Sequence, residues 1–317
     1  MVELYDDCIG RAGLAAVMVN VPEWPAAYSK YPRLRWVPYL DQFIYAGHND
    51  REKSRGGLHT GTIGLYEGAL QETLRGAGRP LDEMTLADVL ELADATISQW
   101  RAAGIGAGKI NCAYVRSLTF DDVPSAQAQR VWDTPAHLRT PADSKALQDH
   151  IARFVVKSCA THDLPIQIHA AVGDAPGLLW TNASPVNLEP LFADPALGRP
   201  KIIVLHGGFP ANTLVGWYAA TYANVYVDYS WLPMLSGVVL DRCLDEWLDY
   251  VPHNKILFGT DAWSPELFYA GTRAARDILG RVLERRVSDR RYTSALAETV
   301  ADAILAANSR SLYRVDG

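Results

Sequence analysis

One feature constrains the fold of this chain more than any other: short apolar, strand-forming runs alternate with stretches of helical pattern. Seven runs stand out, LAAVMVNV (14–21), RWVPYLD (35–41), GKINCAY (108–114), IQIHAAV (166–172), KIIVLHG (201–207), NVYVDYS (224–230) and KILFGTD (255–261). Runs of this kind with helices between them are the mark of βα units around a parallel sheet. Two of the intervening helices are expected at TLADVLELADATISQWRAAG (85–104), which opens on a threonine cap and closes on glycine, and at SKALQDHIARFVVKSCATHD (144–163). The segments 43–80 and 117–141 are longer than a simple βα connection requires and read as elaborations over one end of the sheet.

Three of the runs end on polar side chains where a sheet would more cheaply continue with Val or Ile. His169 follows IQI, His206 follows IIVL, and Asp261 follows ILFGT. In an open doubly wound sheet such groups would gather at one switch point. Here they are spread over several strands including the last, as a closed barrel with its site at the C-terminal rim requires. The expected fold is therefore α/β, a (β/α)8 TIM-like barrel with its first strand missing or cryptic, forming one domain over residues 1–317. No repeat, low-complexity tract or Pro/Ser linker marks a domain boundary.

With 317 residues, 49% of them hydrophobic and 21% charged, the chain has the composition of a globular enzyme and material for a large core. A net charge of -6 without a Lys/Arg-rich block provides no electrostatic footprint for nucleic acid or an anionic membrane. No apolar run approaches a membrane span, and the N-terminus MVELYDDCIG is acidic where a signal peptide is basic, so the expected compartment is the cytoplasm. Cys8, Cys112, Cys159 and Cys243 are scattered and form no C-x-x-C pair, which argues for reduced, mostly buried thiols. The expected partner is a small-molecule substrate, and a homo-oligomer is compatible with the sequence.

Imidazole and carboxylate are the usual ligands of Zn²⁺, and a catalytic site needs about three protein ligands plus an open position. His169, His206 and Asp261 supply that inventory if a barrel brings the strand ends together. Each also has an ordinary reading, as a hydrogen-bonded strand-end histidine or a turn-capping aspartate. Lys109 starts an otherwise apolar strand; it either extends its amine to solvent or, carboxylated, becomes an anionic metal ligand. His48 and His59, the only N-terminal histidines, are read as surface or pocket-lining rather than as ligands. GXSXG and Cys-His signatures of covalent catalysis are absent.

The succession GKINCAYVRSL, LPIQIHAAVGD, SPVNLEPLF, KIIVLHGGFP, NVYVDYSWLP, KILFGTDAWSPE and ILAANSRSLYRV resembles the amidohydrolase-related branch of the metal-dependent amidohydrolase superfamily. It is most similar to the amidohydrolase-like domains found beside or fused to glutamine synthetase-like proteins. The resemblance covers residues 108–315 well and the first hundred loosely. It implies that Lys109, His169, His206 and Asp261 correspond to the ligand positions of the fourth, fifth, sixth and eighth strands, with Asp261 also the general base. It further implies substrate-facing roles for Tyr114 and Arg116, which Val115 separates here, and for Asp174 and Glu266. A divalent metal, zinc first, is the implied cofactor, and hydrolysis of a C–N or C–O bond in a small polar substrate the implied activity. The alternatives are a decarboxylase or lyase of the same branch, or an inactive barrel serving as a binding or regulatory module. The family's first strand normally ends in His-x-His, and no His-x-His occurs in this sequence. The expectation is that the native gene encodes an upstream strand carrying it or, failing that, that a partner chain covers the gap. VELYDD (2–7) is expected to begin a helix running toward Gly13.

Overall fold

The computed structural model describes residues 2–173 and 177–315. All seven apolar runs form strands: β1 (Val17–Asn20), β2 (Leu34–Val37), β3 (Gly108–Ile110), β4 (Ile166–Ile168), β5 (Ile202–Val204), β6 (Val225–Asp228) and β7 (Ile256–Leu257). The first two pair with each other as a two-stranded sheet, with Val17 N–H donating to the Arg33 carbonyl at 2.8 Å. The chain divides into two compact units, one made of Met1–Val19, Pro25–Arg35 and Ile202–Gly317, the other of Asn20–Trp24 and Trp36–Lys201.

In the unit containing 36–201, β3 and β4 run parallel, with Gly108 opposite Ile166 and Ile110 opposite Ile168. Both strands are buried throughout, as expected where a parallel sheet is covered on both faces. The run after β2 reaches β3 through a single parallel bridge between Tyr39 and Lys109. Pro38 explains its brevity: its carbonyl accepts the Lys109 N–H at 2.8 Å, but a proline has no N–H to extend the ladder. Gly108 allows the close approach, since a Cβ there would lie 2.8 Å from Leu40 Cδ1.

The helix Leu86–Ala102 begins at Thr85 as expected, and its capping box with Asp88 satisfies two terminal N–H groups. The helix Pro141–Thr161 starts three residues before the expected Ser144, because Thr140 and Asp143 form a second capping box and Pro141 takes the first helical position. Within the elaboration 43–80 lies a 21-residue helix, Gly57–Ala77, stopped by Gly78 in the left-handed region.

In the other unit, β5, β6 and β7 are parallel, with Ile202 opposite Val225 and Val227 opposite Ile256. The helices Asn212–Thr221, Gly237–Tyr250 and Pro265–Ser288 follow them in turn, the last two capped by the Ser236 and Ser264 hydroxyls. The expected N-terminal helix is present as Val2–Arg11 and ends before Gly13, whose φ is 65°. It buries Ile9, Ala12 just past its end is buried too, and Arg276 of the Pro265–Ser288 helix donates to the Ala12 carbonyl. Near the C-terminus Asn308 donates to the carbonyls of His253 at 2.7 Å and Ile256 at 2.9 Å.

Candidate active site

The polar strand ends fall into two sets, one in each unit. In the first set, His206 follows β5 with a φ of 59°, continued in the left-handed region by Gly207 at 56° and Gly208 at 61°. The glycines are required here: a Cβ on Gly207 would lie 2.9 Å from Trp247. A side chain in this conformation costs about 1–2 kcal/mol, so His206 is held there by its surroundings. Trp231 after β6 (φ 67°) and Asp261 after β7 (φ 56°) also have positive φ, so each of β5, β6 and β7 is followed by a non-glycine residue with positive φ. Such outliers concentrate at functional sites.

The His206 ring is buried, with Nδ1 3.0 Å from Ser230 Oγ and 3.9 Å from Asp261 Oδ2. Ser230 in turn donates its hydroxyl to Asp228 Oδ1 in a short hydrogen bond, and its N–H to the same oxygen at 2.8 Å. Burial pushes the Asp228 carboxyl up to about 6 against the lowering effect of the Ser230 hydroxyl and the Ser230 and His206 N–H groups. Asp261 is 49% exposed and therefore open to solvent or substrate, unlike the histidine beside it. Trp231 stands edge-on to the His206 ring, with centroids 6.0 Å apart.

In the second set, Lys109 is buried in β3 and His169 is buried just past β4. The His169 N–H donates to the Ile110 carbonyl at 3.1 Å, its Nε2 lies 3.2 Å from the Ala171 carbonyl, and its ring packs on Tyr114 with centroids 4.7 Å apart. Lys109 does not extend its amine to solvent; its charge acts on Asp41, a fully buried carboxylate at the end of RWVPYLD. Burial pushes Asp41 up to about 7, opposed by the Asn111 N–H, which reaches its two oxygens at 3.0 and 2.8 Å, and then by Lys109. Asp41, Asp228 and Ser230 were not singled out in the sequence, although a polar residue closing an apolar run marks Asp41 and Asp228 as it marks His169.

Four of the five N–H groups of Arg116 are engaged within its own unit. They bond the Ser117 and Thr119 carbonyls and Gln148, each at 3.0 Å, and Asp149 in a short ion pair, with the guanidinium 5.0 Å above the Phe120 ring. Glu266 is exposed in the first turn of Pro265–Ser288, where a backbone N–H and the Ser264 hydroxyl hold its carboxylate below the usual range. Asp174 lies outside the described residues. His48 is exposed, 4.0 Å from Asp82, and burial followed by the Arg55 charge pushes the half-buried His59 down.

For a divalent cation, the neighbouring imidazole and carboxylate of His206 and Asp261 are chemically suitable donors. Among the described residues, however, no group of three or more His, Cys, Asp or Glu side chains is gathered so as to hold a metal ion. No helix among them is long and apolar enough to cross a membrane.

Comparison with known proteins places these features in a family. Protein fluG of Emericella nidulans is 34% identical over 192 residues, a match covering 57% of this chain and 22% of that protein. The chain thus spans under a quarter of the length of this relative. A protein from Lactobacillus casei ATCC 334, provisionally described as a metal-dependent hydrolase, superposes with a TM-score of 0.72 at 20% identity, over 98% of this chain and 76% of that one. Uronate isomerase from Thermotoga maritima gives 0.72 at 13% identity, over 97% and 69%. These likenesses show the fold, α/β with parallel strands in the manner of TIM-barrel amidohydrolases. The amidohydrolase family model matches residues 72–315, and the chain belongs to the amidohydrolase family.

Proposed function

We propose that the protein is a metal-dependent hydrolase acting on a C–N or C–O bond of a small polar substrate as a single barrel domain. The observation that carries this reading is the pairing of buried His206 with half-exposed Asp261, 3.9 Å apart, at the ends of β5 and β7. Both residues occupy a costly backbone conformation that packing alone would not select. His206 and Asp261, side by side in one unit, would contribute an imidazole and a carboxylate to a divalent metal, zinc first by donor chemistry; in the other unit His169 and, if carboxylated, Lys109 are the candidate donors. When bound, such a metal supplies Lewis acidity and makes water a better nucleophile near neutral pH.

The remaining chemistry belongs to the side chains. Asp261, reachable from solvent, accepts the proton of the attacking water and returns it to the leaving group. His206, confined by Ser230 and Trp231, keeps one ring orientation, so that little reorganisation accompanies the reaction. Tyr114, whose ring packs on His169, lines the substrate side; Arg116 contributes by bracing the loop after β3 through Asp149. Carboxylation of Lys109 would place a second anion near Asp41, whereas a cationic Lys109 favours the Asp41 carboxylate. An uncarboxylated lysine is the more economical state while Asp41 is ionised.

The test combines metal analysis of protein purified without chelator or histidine tag with a hydrolysis screen over small amides, lactones and carboxylic esters. Stoichiometric divalent metal and chelator-sensitive turnover are expected. Protein that takes up no zinc, manganese or cobalt and turns over nothing would favour a binding or regulatory module.

A further inference from the structure

The loop that carries Asp261 has little of its own to stiffen it. Residues 258–264 lie in neither strand nor helix, between β7 and the helix Pro265–Ser288. Asp261 stands in that loop with a φ of 56° and is 49% exposed, and among the described residues no hydrogen bond reaches its carboxylate. The direction of the carboxylate is therefore set by the backbone on either side of it.

Two bonds from outside the loop hold that backbone. Before Asp261, the Thr260 carbonyl accepts the Trp231 N–H at 3.1 Å; after it, the Trp263 carbonyl accepts the Tyr5 hydroxyl at 2.5 Å, across 258 positions of sequence. Trp263 is 65% exposed, so water could satisfy its carbonyl without help. What the tyrosine adds is restraint. Tyr5 itself is firmly based, on the helix Val2–Arg11 that begins with VELYDD and buries Ile9. Just past that helix Arg276 donates to the carbonyls of Ala12 at 2.5 Å and Gly13 at 3.5 Å. Arg276 belongs to the helix that starts where the Asp261 loop ends, so the two helices and the loop close a ring of contacts within one unit. Burial, then Tyr28 and Glu266, push the Tyr5 phenol up, which keeps it a donor.

We infer that Tyr5 is a positioning residue: by holding the Trp263 carbonyl, its hydroxyl fixes the loop from which Asp261 is aimed. Its consequence for turnover rests on the proposed hydrolysis with Asp261 as base; the restraint on the loop does not.

The test sets Tyr5→Phe, which loses only the hydroxyl, against Asp6→Asn, which alters the exposed pair with Arg33 on the same helix without touching the loop. Hydrogen–deuterium exchange of the whole chain, read by mass spectrometry over residues 258–264, should be about 5- to 10-fold faster in Tyr5→Phe and unchanged in Asp6→Asn. Exchange in Tyr5→Phe equal to that of the unaltered chain would overturn the inference. Kinetics well below the melting temperature of each variant add a second reading. For Tyr5→Phe kcat should fall about 10- to 100-fold with KM within about a factor of two, as for a misaimed base. A lowered melting temperature with unchanged kcat would reduce Tyr5 to a structural tether and refute positioning. If the unaltered chain turns over no substrate, the hydrolase reading fails, while exchange alone decides whether Tyr5 holds the loop.

Discussion

The two units treat their polar strand ends in opposite ways. After β5, β6 and β7, His206, Trp231 and Asp261 are presented on backbone with positive φ, and one of the polar groups stays 49% exposed. Within β3, after β4 and at the end of the run leading from β2, Lys109, His169 and Asp41 are all buried on backbone outside the left-handed region. One unit adds a conformational cost to the burial of His206 and Asp228; the other relies on desolvation alone. Conformational cost fixes direction while leaving a group reachable; desolvation fixes charge state while hiding it. A reaction that moves a proton at an accessible atom should therefore take its base from the first kind of strand end.

The strongest way to break this contrast is Asp261→Asn. Asparagine tolerates the left-handed conformation, so the fold should survive, whereas turnover should fall by about 10²- to 10⁴-fold through loss of the base. Steady-state kinetics on a metal-dependent substrate, with a melting curve alongside, checks both halves. Turnover within a factor of two of the unaltered enzyme would take Asp261 out of the mechanism.

Next in size is Arg116→Met in the other unit. It strands the almost completely buried Asp149 beside Lys145, and breaking such a pair costs about 3–5 kcal/mol. Denaturant unfolding should show that loss; a change below about 1 kcal/mol would mean that the pair is not held together in solution.

Gly207→Ala sharpens the conformational half. The new Cβ meets Trp247 at 2.9 Å on a φ of 56°, and overpacking with left-handed strain should cost about 2–4 kcal/mol. Gly61→Ala, where a Cβ meets nothing within 4 Å, is the control and should be neutral or slightly stabilising.

The last effect is read as a slope. Asp41 is raised from 3.8 to about 7 on folding, so between those values the native state holds a proton that the unfolded state has released. Its contribution is full below pH ~4 and is lost as pH rises through about 7. Asp41→Asn should remove that part of the decline, so that its melting temperature gains on the unaltered protein as pH rises from ~4 to ~7. Parallel curves for the two proteins would show that Asp41 does not titrate there.

Much of this was legible in the sequence. Seven apolar runs gave seven strands; β3, β4, β5 and β7 are buried at every residue and so leave no ambiguity of face, and the Thr85 cap worked as its residue type promised. The pairing of His206 with Asp261 followed from their places at strand ends. Other features were hidden for physical reasons. The helix Gly57–Ala77 carries Gly57, Gly61, Gly64, Gly68 and Gly76, which depress local propensity until tertiary packing of Ile63, Tyr66 and Leu70 compensates. Asp41 and Asp228 look like the polar close of any strand; only burial and their partners distinguish them. The commitment of Arg116 to Gln148 and Asp149 depends on residues more than thirty positions away, which no local motif reveals.

The Asn308 side chain, donating to the carbonyls of His253 and Ile256, has a consequence for how this chain comes into being on the ribosome. β7 pairs with β6, but these two carbonyls receive their amide donor from a residue made more than fifty positions later. During synthesis the stretch leading to Asp261 must wait, with two acceptors open to water, until the tail emerges and folds back. The last turns of the chain thus act as a latch on a strand already made, and a nascent chain stalled before Asn308 would expose that edge to chaperones and proteases first.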